Sequence, residues 1–247
     1  MTKVRVIGPG RAGRSLMGAL RAVGGYELLG ALGRADVLSG AAVGADVVVI
    51  ATPDAAVAVT AAAIDPVDST VVVHLSGSLG LDVLARHPRR GALHPLVPLP
   101  DPDRGSVRLR SGVGFAVAGD PIARSMALAL GGQVVVVDDR SRAAYHAAAT
   151  IAANHVVALM GQVERVAGAA GLPLDAFSGL VRAAVDDAMA LGPEAALTGP
   201  AARGDWGTIS RHRAVLSGMA EGSSELEAYD AMVDLARRLV AAPAVVA

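Results

Sequence analysis

Gly8, Gly10 and Gly13 are spaced as Gly-x-Gly-x-x-Gly, with Pro9, Arg11 and Ala12 between them. The run follows a short apolar-leaning segment, Val4 to Ile7, and opens a helical pattern carrying Leu16, Met17 and Leu20. Strand, glycine turn and helix in that order form a dinucleotide-binding fingerprint. Gly8 permits the tight turn, Gly10 lets a diphosphate approach the backbone, and Gly13 lets helix and strand pack closely. The free amides and positive dipole end of the helix then favour phosphate charge. Pro9 removes one donor from the turn; those after it remain.

Further polar residues fall where strands end. Tyr26 to Leu32 reads as a second strand that runs into Gly33-Arg34, with no Asp or Glu at its tip and Asp36 two residues later. A guanidinium there suits the 2′-phosphate of NADP better than the bare ribose of NAD; as a plain loop residue, Arg34 would simply be solvated. The buried runs Val47 to Ala51 and Val71 to Leu75 end in Ala51-Thr52-Pro53 and Leu75-Ser76-Gly77-Ser78. Ligands of such folds lie at the carboxyl ends of strands, so these turns are expected to border the cofactor, unless they are turn chemistry alone.

His94 closes a third such strand, before Pro95, on the side expected for a reacting ring. It can donate a proton near neutral pH, or merely pin the proline-rich loop through Pro98, Pro100 and Pro102. His74 reads as a satisfied core residue and His87 as a solvated one. His146, Thr150 and Asn154 are spaced by four, which aligns them on one helical face. Asn154 can orient a substrate oxygen or make an internal helix–helix hydrogen bond; His155 points elsewhere, to a neighbouring helix or subunit. Thr198, Arg203, Asp205 and His212 supply the densest polar stretch of the second half. Arg203 could fork onto a carboxylate with Asp205 holding the guanidinium, or the pair could belong to a capped loop. No metal-ligand spacing is visible, and no metal is expected.

The elements that must position these residues alternate strand and helix up to Val137 and then turn helical. The pattern predicts an α/β domain over residues 1–140, mostly parallel with helices on both faces, and an all-helical domain over 141–247. Ser141 is expected to cap a helix to about Ala170, followed by helices over about 175–191, 209–216 and 225–240, with a frayed tail. Residues 143–163 carry no formal charge yet hold His146, Asn154, His155 and Gln162, so they read as a buried central helix rather than a membrane span. Lys plus Arg is 22 against 23 for Asp plus Glu, so no net positive field recruits nucleic acid or membrane phosphates. One Trp, three Tyr and two Phe leave few platforms for base stacking. Without cysteine there is no thiol chemistry. The chain opens in a strand with no signal peptide, which predicts a cytoplasmic protein.

The chain resembles the Rossmann-like oxidoreductases with a C-terminal helical domain of unknown function, relatives of ketopantoate reductase, pyrroline-5-carboxylate reductase and prephenate dehydrogenase. The resemblance is carried by Gly8 to Leu16, Ala51-Thr52-Pro53-Asp54, His74-Leu75-Ser76-Gly77-Ser78, Leu93-His94-Pro95-Leu96, Tyr145 to Ala149, and Leu197-Thr198-Gly199-Pro200 with Arg203-Gly204-Asp205. It implies an NADP-linked reductase of a small acid, with its active site between the domains and a homodimer built through the helical domain. Ketopantoate reduction to pantoate is the leading substrate. The alternatives are a prephenate-dehydrogenase-like or other 6-phosphogluconate-dehydrogenase-like oxidoreductase, and an NADP-binding sensor without turnover. Ketopantoate reductases carry a lysine four residues before an asparagine on the first helix of the second domain. If Asn154 takes that asparagine's place, Thr150 stands where the lysine would be, and the proton must come from His94 or His146.

Overall fold

A computed structural model describes residues 1–219 and 222–241. They divide into two compact units that part between Ala153 and Asn154. The expected frayed tail beyond 241 lies outside the described residues.

The first unit is built on one seven-stranded sheet. Its strands are β1 (Thr2–Ile7), β2 (Tyr26–Leu32), β3 (Val47–Ile50), β4 (Val71–His74), β5 (Arg89–Pro95), β6 (Gly114–Gly119) and β7 (Gln133–Val136), in the order β2-β1-β3-β4-β5-β6-β7. Every neighbouring pair is parallel except β5 and β6. β3 and β4 are buried along their whole length, as continuous valine runs require when both faces of a parallel sheet are covered.

Alternate residues of these strands feed two apolar layers. Val4, Val6, Val47, Val49, Val71 and Val73 pack on α1 (Arg11–Val23) together with residues of the helix Pro121–Ala129. Ile7, Val48, Ile50 and Val72 pack on the other side against Val57 and Ala61 of α2 (Asp54–Ala62). The chain leaves β1 for β2 on one side and returns to β3 on the other, so the carboxyl ends of β1 and β3 flank the switch point where such sheets bind ligands.

Two sequence expectations change here. The proline-rich stretch contains a helix, α3 (Pro102–Arg108), before α4 (Pro121–Ala129). Asp101 caps α3 by accepting the Arg104 N–H at 2.9 Å, and Pro102 occupies the first helical position, where its missing donor costs nothing. His87 is buried rather than solvated: it is 2% exposed, and its Nε2 lies 3.0 Å from the Ala61 carbonyl.

The helix predicted from Ser141 begins as α5 (Arg142–Thr150), passes through one π-helical turn, Ile151–His155, and continues as α6 (Val156–Ala169). Ser141 makes no side-chain cap; its own N–H donates to the Asp138 carboxylate at 2.8 Å. The second unit comprises α6, α7 (Ser178–Leu191), the short α8 (Pro193–Ala196) and α9 (Pro200–Arg203), α10 (Trp206–Ser217) and α11 (Gly222–Ala241). Arg165 of α6 pairs with the buried Glu225 of α11, whose backbone carbonyl also accepts from Gln162 at 2.9 Å. That pairing holds the Glu225 carboxyl below its usual range. Arg237 of α11 stacks over Trp206 of α10 at 4.9 Å.

None of residues 143–163 is buried, contrary to the central helix expected. Within one chain, too little of the structure packs around this segment to cover it. Among the described residues, no helix is long and apolar enough to cross a membrane.

Candidate active site

The glycine turn has the form its spacing predicts, for reasons that can be measured. Gly8 takes φ +97°, and a Cβ on it would lie 2.8 Å from the Ala51 carbonyl carbon and oxygen. A Cβ on Gly13 would lie 2.2 Å from the Gly8 oxygen. Both are therefore bound to be glycine by the close approach of α1 to β1 and β3. A Cβ on Gly10 would meet nothing within 4 Å, so that side of the turn is open. The first helical bond of α1 runs from Arg14 N–H to the Gly10 carbonyl at 3.0 Å. It leaves the amides of Arg11, Ala12 and Gly13 without intrahelical acceptors, and no acidic residue lies in the first turn of the helix.

A cleft of ≈ 660 Å³ extends from this turn, lined by Gly8, Pro9, Gly10, Arg34, Thr52 and Pro53 among others. The buried Thr52 hydroxyl has no hydrogen-bond partner among the described residues. Arg34 is exposed at the end of β2. The Asp36 carboxylate, which could have served a ribose, instead accepts the Gly33 N–H at 2.6 Å and closes the turn. Open backbone amides, an orphaned hydroxyl and an exposed arginine with no ion-pair partner among the described residues suit a phosphorylated dinucleotide. The residues present fit NADP.

A second group collects at the ends of β4 and β5. Gly77 lies between two histidines: a Cβ there would be 2.8 Å from Cδ2 of His146 and 2.8 Å from Cε1 of His94. The two rings sit 6.1 Å apart at 71°. Nδ1 of His94 is 2.5 Å from the Tyr145 hydroxyl. Burial, with the nearby His146 and Arg142, pushes His94 down to about 4, against a smaller upward pull from Asp54. His94 is thus neutral at physiological pH. It can polarise an oxygen through a ring N–H. His74, fully buried with Nε2 3.2 Å from the Gly80 carbonyl, is lowered too, chiefly by burial.

Ser76 turns inward, its hydroxyl accepting the N–H groups of Ser78 (3.2 Å) and Leu79 (3.1 Å). It shapes the β4 loop beside Leu75. The Ser78 hydroxyl donates to Asp54 at 2.5 Å. Asp54 and Tyr145 carried no assigned role in the sequence. Asp54 had a signal, because it follows Thr52-Pro53 at a strand's carboxyl end. Tyr145 had only its place beside His146.

In the second unit, Asn154, Thr198 and Arg203 are exposed. The Asp205 carboxylate caps α10 by accepting the Thr208 N–H at 3.0 Å, and Arg203 acts on it only as a weaker nearby charge. His212 is 2.8 Å from the Tyr229 hydroxyl and lines an apolar groove with Val166, Phe177 and Leu216.

The first unit has a Rossmann-type fold, a mostly parallel sheet with helices on both faces. Residues 114–236 match the family model of a domain of unknown function, DUF2520. No curated protein matches the chain. Among solved structures it is similar to the Bacteroides fragilis protein BF3122, described as a candidate NADP oxidoreductase (19% identity, TM-score 0.79, covering 96% of this chain and 98% of that one). It is similar also to protein TM1727 from Thermotoga maritima (23% identity, TM-score 0.72, 96% and 98% covered). A third similar structure is Plasmodium falciparum pyrroline carboxylate reductase with NADP bound (11% identity, TM-score 0.62, 97% and 98% covered). At these identities the shared property is the fold.

The lowered His94 value has a consequence for stability. Between its ordinary value of 6.5 and about 4, the unfolded chain binds a proton that the folded chain refuses, so stability rises with pH across that window. Stabilisation present above pH 6.5 is lost as the pH falls toward 4. From about pH 7 to about pH 5, His94 should remove roughly 2 kcal/mol from the unfolding free energy. His74 adds to the loss in the same direction. In His94→Gln, urea unfolding at the two pH values should show that share gone and only the remainder left. An undiminished drop would contradict the assignment.

Proposed function

We propose that the chain is an NADPH-dependent reductase of a small carbonyl acid, with ketopantoate reduction to pantoate as the first substrate to test. The observation that carries this reading is the open glycine turn and its cleft, on the same sheet edge as a neutral histidine at the end of β5. Bound NADPH supplies a hydride. The amides of Arg11, Ala12 and Gly13 hold the diphosphate, and Arg34 takes the 2′-phosphate by charge-assisted hydrogen bonds. A ring N–H of His94 hydrogen-bonds the carbonyl oxygen and stabilises the charge that grows there, as a neutral imidazole does in triosephosphate isomerase. Water provides the proton that the product oxygen takes.

A second reading, reduction of a C=N bond, is favoured by one pairing. The Asp54 carboxylate, hydrogen-bonded by Ser78, puts negative charge close enough to His94 to pull its pKa upward. A protonated imine would be attracted by that charge and brings its own proton, so it needs no acid. A pyrroline, the substrate named for the Plasmodium falciparum neighbour, contains such a bond.

We also propose that a second copy of the chain covers the apolar face of α7, where Leu180 is 68% and Leu191 63% exposed and their spacing of eleven residues puts them on one side of the helix. Patches of this kind on a folded chain mark interaction surfaces. The chain should sediment as a dimer, and Leu180→Glu with Leu191→Glu should sediment as a monomer; a monomeric wild type would remove the proposal.

The reductase reading is checked by NADPH oxidation with a panel of 2-keto acids and cyclic imines. Turnover is expected with at least one, NADPH should bind more tightly than NADH, and Arg34→Gln should narrow that preference by roughly tenfold or more. Binding of NADPH with no turnover of either class would favour the sensor. Tighter binding of NADH would overturn the role of Arg34.

A further inference from the structure

The proposed reduction uses His94 but gives no part to Tyr145, the residue bonded to it. Tyr145 lies on α5 and His94 at the end of β5, and their rings meet edge to face with centroids 5.7 Å apart at 89°. The contact of the Tyr145 hydroxyl with Nδ1, at 2.5 Å, is that hydroxyl's one hydrogen bond among the described residues. A phenol is a strong donor and a weak acceptor, while the unprotonated nitrogen of a neutral imidazole is a good acceptor. The favourable arrangement therefore has the phenol donating to Nδ1. A neutral ring carries one proton, and the hydrogen bond at one nitrogen decides that the other carries it.

The other nitrogen is well placed. Nε2 of His94 lies 2.9 Å from where a Gly77 Cβ would be, at the turn after β4 that the strand-end rule assigns to the ligand. No protein partner for it appears among the described residues, nor is it among the buried atoms that lack one, so it opens to solvent.

We propose that Tyr145 is a positioning residue: its hydroxyl donates to Nδ1 of His94 and fixes the ring's proton on Nε2, the nitrogen that faces the substrate. What Nε2 meets rests on the reductase reading; the position of the proton does not. Burial raises the Tyr145 phenol to about 12, so it keeps the proton it shares. Burial first, then His146, Arg142 and His74 against a pull from Asp54, keep His94 neutral.

The test is two-bond ¹⁵N–¹H correlation spectroscopy of the full chain labelled at histidine, at neutral pH, with His94 identified by the signals lost in His94→Gln. The wild type should show His94 protonated at Nε2 and bare at Nδ1. Tyr145→Phe, which keeps the ring and loses the hydroxyl, should show a mixture of the two tautomers. A wild-type His94 protonated at Nδ1 would overturn the proposal, as would a Phe variant with an unchanged pattern. NADPH affinity of Tyr145→Phe, expected within about twofold of wild type, reports separately on the nucleotide site. Loss of binding in both proteins would sink the reductase reading and leave the tautomer result standing.

Discussion

The distance at which the first helix meets the first and third strands sets the rest of the first unit. With a Cβ on Gly13 only 2.2 Å from the Gly8 oxygen, the amino end of α1 lies closer to the sheet edge than any side chain would allow. That approach brings three unpaired amides to the mouth of the crevice between β1 and β3. It also explains why the layers above and below the sheet are filled with valine and alanine: small side chains let helices sit close to strands. The same economy recurs where α3 crosses α1, since a Cβ on Gly105 would lie 2.0 Å from the Ser15 hydroxyl. An anion site thus follows from packing before any charged residue is considered.

A different balance governs the histidine cluster. Burial, His146 and Arg142 work against charge on His94, while Asp54 works for it, and burial is the largest of these effects. A neutral ring can have its proton directed by a partner, and Tyr145 is the partner in reach. Arg142 is the fixed charge of the group, acting on both His74 and His94. Its guanidinium is buried, paired through Nε with Asp139 at 3.2 Å, while its two terminal nitrogens have no partner among the described residues. A fixed positive charge in this place disfavours a second one on the histidines beside it.

Much of this was legible in the residues themselves. The glycine spacing after Ile7, the valine runs of β3 and β4 and the loss of strand pattern after Val137 each record a strong local requirement, and the fold follows from them. What was hidden depends on contacts between distant segments. His87 looked solvated because its neighbours in sequence are polar, and only the tertiary fold brings the Ala61 carbonyl to it. The π turn at Ile151–His155 and the His94–Tyr145 bond are set by packing that no periodicity reports. The helix at Pro102 was readable, since Asp101-Pro102 is a capping pair, but the surrounding prolines suggested a loop. For Asp205 two readings stood, a partner for Arg203 or a member of a capped loop, and its position before α10 makes it a cap.

Calorimetric titration of NADPH into Gly10→Ala tests the central claim most directly. The added methyl meets no protein atom within 4 Å and requires no unusual backbone angle, so the free variant should melt with the wild type. It would stand where the diphosphate approaches, and NADPH should bind roughly tenfold or more weakly, a loss of about 1.4 kcal/mol or greater. An affinity equal to that of the wild type would contradict the account, because the nucleotide would then not lie against that turn.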